Sequence, residues 1–419
     1  MNRKPLTRLR ARVEDGGVCV TAYKSTGAPA DAKAFDAVRI HRKEATDFVF
    51  GTDYEEYFDG TDWRDAPVVF EGSLPAQHER KVTWVDDGVE VGSTYAYWVS
   101  AFDAAPVGPI PVKVRDREVW WSYARITQEA QGLQRDYPDR VRLEHIGRSV
   151  RGRDILGLRI GPTRPALGLV GAVHAGESGA ELMLPAIRRI LSARMDLIEA
   201  AGIVAIPVLN VDERERLVRG CPWYLRTNAN GVDLNRNFPA EWESVSYAYG
   251  LDSSDPDSLT YRGPHAASEP ETRALMEFLD SAPIDVLYAF HCLASICGGR
   301  FLGPACGKED AGYVRSCRQF AATYLEGFDP EAPADSDKAL SFGTASGSLP
   351  AWMHGGGVPA FDLEISAERE SEALAQCRED HTDRTLLGDY RERHFRGIAA
   401  VLEKLAGSGK RYNAVNIEK

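Results

Sequence analysis

Hydrophobic and polar positions alternate along the first 115 residues and then change period. The segments GVCVTAYKS, AFDAVRIHRKE, PVVFEGS, KVTWVDDG and STYAYWVSAFD are short, alternating and separated by Gly, Pro or Asp turns. A period of two predicts half-buried strands, so residues 1–115 read as an all-β domain. From Val119–Ser122 the spacing turns helical: Tyr123, Ile126, Ala130 and Leu133 share a face, and Pro138 stops the helix. Two short strands follow, VRLEHIG and DILGLRIG, joined by Arg148–Arg153. The apolar run beginning at Ala166 leads into a helix ending near Arg194, and GIVAIPVLN, IDVLYAF and VPAFDLEIS are further buried strands. Strands alternating with helices through Leu405 predict one α/β domain over 116–419, with a largely parallel or mixed sheet.

Composition narrows the classes. A chain of 419 residues supports two domains or three, and 43% apolar with 27% charged residues is an ordinary soluble globular composition. A net charge of −12 and a pI near 5.4 argue against nucleic acid and anionic membrane surfaces as partners. No apolar run approaches the roughly 20 residues of a membrane span. The basic start MNRKPLTRLRARVEDGG has no apolar core behind it and does not read as a secretory leader, so a cytoplasmic location is expected. Seven cysteines without regular spacing fit reduced thiols, although Cys292, Cys297, Cys306 and Cys317 lie close enough in sequence for a local disulfide or redox pair.

The candidate chemistry begins where the Ala166 strand breaks, at His174-Ala-Gly-Glu177. An imidazole and a carboxylate three residues apart on a turn, with Gly176 easing the bend, can converge on one Zn²⁺. A second His-x-x-Glu, His41 to Glu44, lies in an alternating stretch where its members face opposite sides, and plain surface is expected there. Farther on, Trp223–Pro239 (WYLRTNANGVDLNRNFP) is polar and carries two arginines. Asn235 and Arg236 are suited to an anionic group such as a free C-terminus, and Arg226 to a developing oxyanion. His291 ends an apolar strand, a place where an imidazole is usually a satisfied core residue. If Phe361, Leu363 and Ile365 share one face of the next strand, Asp362 and Glu364 share the other, and Glu364 is a candidate general base.

Taken together in order, these elements resemble the zinc carboxypeptidases of the carboxypeptidase A/B family over about 118–407. The resemblance rests on Tyr137-Pro138, Ile146–Ser149 with Gly152-Arg153, His174-x-x-Glu177, GVDLNRNFP (Gly231–Pro239), YRGP…SEPET (Tyr261–Thr272), His291, ASGS…W (Ala345–Trp352) and Glu364. It implies a mixed twisted sheet flanked by helices, and one zinc per chain held by His174, Glu177 and His291 with water in the open position. It also implies Glu364 as general base, Arg226 as oxyanion partner with Arg219 in reserve, and Asn235 with Arg236 as the grip on a terminal carboxylate. Thr94–Phe102 with the strand after it resembles the last hairpin of a fibronectin type III or immunoglobulin-like sandwich, with Tyr95 as its corner tyrosine.

The departures shape the functional expectation. Gly176 stands where the family often has an arginine, Gly343 where a tyrosine closes over the substrate terminus, and Asn210–Glu213 reads NVDE in place of Asn-Pro-Asp-Gly. Ser348, Leu349 and Pro350 align with the specificity-setting region and are uncharged, which leans against a basic-residue preference. The expected function is therefore a zinc metallocarboxypeptidase acting on a peptide or small amide with a free carboxylate. The rivals are a zinc amidase or deacylase on a small N-acyl compound or cell-wall peptide, and a catalytically silent binding protein.

Overall fold

The computed structural model describes residues 6–24, 34–45, 62–75, 81–101, 104–223, 225–248, 251–291, 301–331, 335–364 and 384–407. Cys292, Cys297 and Ile365, named above, lie outside the described residues, as does Cys377, and none of Cys19, Cys221, Cys306 and Cys317 is in a disulfide. Two compact units divide the chain: 1–117 with 216–224, and 118–215 with 225–419.

Seven antiparallel strands build the first unit: β1 (Leu6–Glu14), β2 (Gly17–Lys24), β3 (Ala34–Ala45), β4 (Val68–Pro75), β5 (Lys81–Asp86), β6 (Thr94–Ser100) and β7 (Val107–Lys113). They form sheets ordered β1-β2-β5 and β4-β3-β6-β7. Val18, Val20, Val38, Ile40, Tyr97, Val99 and Val112 form its core, as the alternating pattern requires. Strand β1 had escaped the sequence reading because arginines at 8, 10 and 12 hide the alternation of Leu6, Leu9, Ala11 and Val13.

His41 departs from expectation. The register slips between Ile40 and His41, and the turn at Trp63–Ala66 covers this face. His41 is buried, with Nδ1 2.9 Å from the Ala66 carbonyl and its ring edge-on to Trp63, whereas Glu44 is exposed and accepts from Ser93 Oγ. Residues 216–224 are stitched into this unit by Val13 N donating to Arg219 O (2.9 Å) and Lys113 N to Gly220 O (2.9 Å). Arg115 Nη1 adds bonds to the carbonyls of Leu217 and Cys221.

The second unit is built on one mixed sheet of eight strands. In chain order they are β8 (Val141–Arg148), β9 (Asp154–Ile160), β10 (Ala166–Gly171), β11 (Gly202–Ile206), β14 (Val286–Phe290), β15 (Phe301–Pro304), β16 (Leu340–Thr344) and β17 (Ala360–Leu363). A separate ribbon of two-residue strands, β12 (Tyr247–Ala248) and β13 (Leu251–Asp252), falls between β11 and β14. The sheet order is β16-β15-β17-β14-β10-β11-β9-β8. Strands β10, β11 and β14 are buried throughout, so their sequences read as apolar runs without alternation.

Helices flank this sheet. Tyr123–Asp136 is capped by the Ser122 side chain, a contribution of about 1 kcal/mol, and buries Ile126, Ala130 and Leu133. The helix Ala180–Ala193 connects β10 to its parallel neighbour β11, while β14 pairs with the opposite edge of β10. The strand order therefore reverses at β10, and open sheets place their sites beyond the carboxyl end of such a strand. Among the described residues no helix is long and apolar enough to cross a membrane.

Candidate metal centre

The bend after β10 is held by backbone contact and by one buried arginine. A Cβ on Gly171 would lie 2.4 Å from the Pro207 carbonyl oxygen, and one on Gly179 would lie 2.7 Å from Ala172 N, so the neck of the loop closes only with glycine at both positions. The left-handed residue of the bend is Ala172 (φ 45°) rather than Gly176. Arg214, from the helix Val211–Val218, donates through Nη1 to the carbonyls of Ala175 (2.9 Å) and Glu177 (2.8 Å). Its other arm pairs with buried Glu181, and its guanidinium lies over the Trp120 ring. The sequence reading missed Arg214; its only signal was a charge following NVDE in a segment that proves to be buried.

That bend presents His174 and Glu177 to His291, which follows β14 directly. Candidate ligand atoms of the three residues lie within 4.8 Å of one another, and all three residues are buried. Nδ1 of His174 is 2.9 Å from Glu177 Oε1, Nδ1 of His291 is 2.8 Å from Glu177 Oε2, and the two Nδ1 atoms are 3.2 Å apart. Each imidazole turns its other nitrogen to a different carboxylate: His174 Nε2 is 3.0 Å from Asp233 Oδ1, and His291 Nε2 is 3.2 Å from Asp362 Oδ1. Burial opposes charge on Glu177, yet His174 and His291 outweigh it and hold the carboxyl well below its usual range. Burial alone would make His291 a weaker base, but Asp362 and Glu177 raise its pKa well above the ordinary value.

The other expected residues surround this cluster. Glu364 is buried beyond the end of β17, and its Oε2 has no hydrogen-bond partner among the described residues. Burial pushes its carboxyl well up, Glu177 and Asp362 add to the rise, and His291 and Arg226 oppose it. Arg226 pairs with Asp233 through Nε (2.9 Å) and Nη2 (2.8 Å), so the oxyanion candidate is anchored to the carboxylate that backs His174. Burial disfavours charge on Asp233 as well, and Arg226, His174 and Arg236 overcome it. Arg219, the reserve, belongs to the β unit.

Asn235 sits in a short turn at Leu234–Arg236. Its Nδ2 donates to Asp362 Oδ2 (2.8 Å) and its Oδ1 accepts from Leu349 N (2.9 Å). Arg236 is buried, with Nη1 donating to the Asn235 carbonyl. Ser348 caps the helix Leu349–Gly355 and, like Leu349 and Pro350, is buried. Among the described residues, a Cβ on Gly343 would meet nothing within 4 Å.

The donor set fits a divalent cation. Two imidazole Nδ1 atoms and a carboxylate converge, the His174 imidazole is hydrogen-bonded from behind by Asp233 and that of His291 lies 3.2 Å from Asp362, and N and O donors suit zinc.

Comparison with known proteins identifies the family. The family model described as zinc carboxypeptidase matches residues 126–368. Over 189 residues the chain is 31% identical to the human carboxypeptidase N catalytic chain, covering 38% of this chain and 39% of that one. Over 152 residues it is 32% identical to murein peptide amidase A of Escherichia coli K12, covering 35% of this chain and 58% of that one. The matches thus span about two-fifths of the one relative and little more than half of the other. Among solved structures, carboxypeptidase A from Helicoverpa armigera aligns with a TM-score of 0.55 at 19% identity, over 88% of this chain and 98% of that one, which is a likeness of fold.

Proposed function

The chain belongs to the zinc carboxypeptidase family, and from that premise we propose that it is a zinc-dependent metallocarboxypeptidase releasing the C-terminal residue of peptides. The observation that carries this reading is the convergence of His174, Glu177 and His291, each imidazole backed by a carboxylate, beside a buried Glu364 whose Oε2 has no hydrogen-bond partner among the described residues. Zinc held there supplies Lewis acidity, polarising a carbonyl and acidifying water at neutral pH. Glu364 takes the proton of the attacking water on Oε2 and returns it to the leaving amine. Arg226, immobilised by Asp233, faces charge building on the scissile oxygen without having to reorganise. Asn235 and Arg236 bind the terminal carboxylate and place the last peptide bond.

One observation favours a second reading, amide hydrolysis on a small acylated peptide. Gly343 brings no side chain to close over the substrate terminus, and a murein peptide amidase is among the relatives. Peptides with free and amidated termini separate the two. Activity that is lost to a chelator, restored by zinc and confined to free termini is the expected result. Equal cleavage of both termini overturns the carboxypeptidase reading in favour of the amidase, and zinc uptake without any cleavage points to a silent binding protein. For the β unit we propose a fibronectin type III-like sandwich, supported by Tyr95 Oη accepting from Glu90 N (2.9 Å), five residues upstream.

A further inference from the structure

We propose that Asp362 is a positioning residue that ties the zinc-binding imidazole of His291 to the carboxylate-binding amide of Asn235. The inference rests on the functional reading above. Strand pairing sets the geometry: β17 runs parallel to β14 with Asp362 opposite Ala289, and His291 N donates to the Leu363 carbonyl (3.1 Å). This register puts the Asp362 side chain, only 3% exposed, beside the imidazole that ends the neighbouring strand.

The two carboxylate oxygens then take different partners. Oδ1 lies 3.2 Å from His291 Nε2, at ion-pair distance but outside hydrogen-bond geometry, and Oδ2 accepts from Asn235 Nδ2 at 2.8 Å. An imidazole that ligates through Nδ1 must carry its proton on Nε2, and a carboxylate behind that nitrogen fixes the tautomer and ring plane. On the other side, the Asn235 amide cannot flip, because Oδ1 is taken by Leu349 N and Nδ2 by Asp362. One of its two N–H groups is spent on Asp362, leaving the other for a ligand. Asp233 makes a parallel link, receiving His174 Nε2 and the backbone N of Asn235 on the same oxygen. Both metal-facing imidazoles are thereby braced against the residue that reads the substrate terminus. A carboxylate that merely filled a polar gap would not need to divide its oxygens between these two groups.

The test compares the full-length wild type with Asp362→Asn and Asp362→Ala. Zinc affinity is measured on metal-stripped protein by competition with a chelating indicator, alongside the metal-free melting temperature. KM and kcat are measured at saturating zinc on a peptide with a free terminus. Expected for Asp362→Asn are zinc binding weakened by ~10–100-fold, the usual cost of losing such a partner, a KM raised several-fold, a smaller change in kcat, and an unchanged metal-free melting temperature. Zinc affinity and KM both within twofold of wild type overturn the proposal, as does a lowered melting temperature with those two unchanged. Should neither Asp362 variant fold, Asn235→Ser reads the link from its other end: zinc affinity falls a few-fold if the tie exists and stays put if it does not. Wild-type protein that takes up no zinc overturns this inference together with the functional reading. Wild-type protein that binds zinc and cleaves, while Asp362→Asn matches it, overturns this inference alone.

Discussion

Two groups of buried histidine in the α/β unit have opposite characters. His174 and His291 are ringed by carboxylates, and His291 becomes a stronger base despite its burial. His394, in the helix Arg384–Gly407, is equally inaccessible but sits among Phe290, Tyr324, Phe328 and Tyr390, with Nδ1 2.6 Å from the Tyr324 hydroxyl. There burial has no anion to oppose it, Arg393 adds to its effect, and the imidazole pKa falls to about 3. Burial by itself makes histidine a neutral core residue; the anions around it decide whether it can serve a cation.

The largest effect expected from breaking this contrast comes at the cation site. His291→Ala removes a ligand and leaves Glu177 and Asp362 facing a gap, so zinc affinity should fall by more than the ~100-fold limit for outer partners, with activity at background. Metal analysis after dialysis checks this, and a variant that keeps its zinc excludes His291 as a ligand. Glu364→Gln comes next: zinc should be retained while kcat falls by roughly 10²–10⁴, the range for losing a general acid–base group. Activity within tenfold of wild type removes Glu364 from that role. Arg214→Met should cost about 3–5 kcal/mol of stability, because Glu181 is left buried without its cation and two loop carbonyls lose their donor. Urea unfolding of the metal-free protein measures that cost, and a loss below 1 kcal/mol would show that the bend holds itself.

The sequence made much of this site legible because its ligands fall where apolar runs end. His174 follows β10 and His291 follows β14, and the parallel pairing of those two strands carries distant positions to one end of the sheet. Glu364 was reachable for the same reason, one residue beyond β17. The supporting carboxylates were harder to see. Asp233 and Asp362 act through contacts across 59 and 71 positions, which no local period encodes. Arg214 looked like surface charge, and only the folded chain shows it spent on the carbonyls of the metal bend. In the β unit, alternation located five of the seven strands and the hairpin resemblance a sixth, whereas His41 was misjudged because a register slip and a covering turn are tertiary events. The inclusion of 216–224 in that unit is equally non-local, since it depends on hydrogen bonds to Val13 and Lys113.

The smallest effect sharpens the other half of the comparison. With its folded-state pKa near 3 against an ordinary 6.5, His394 binds fewer protons folded than unfolded between those values. Its contribution to stability is therefore complete above about pH 6.5 and is lost progressively as the pH falls toward 3. Replacing it with phenylalanine removes the titration. The larger ring and the abandoned Tyr324 hydroxyl cost about 1–3 kcal/mol at every pH, so the reading lies in how the difference between the two proteins changes. Urea unfolding at pH 7 and pH 4.5 should show His394→Phe losing less stability on acidification than wild type, by on the order of 2 kcal/mol. The carboxylates of the metal site titrate in both proteins and cancel. Equal acid sensitivity in His394→Phe and wild type would mean that His394 is protonated in the folded state, and the contrast with His291 would then rest on geometry alone.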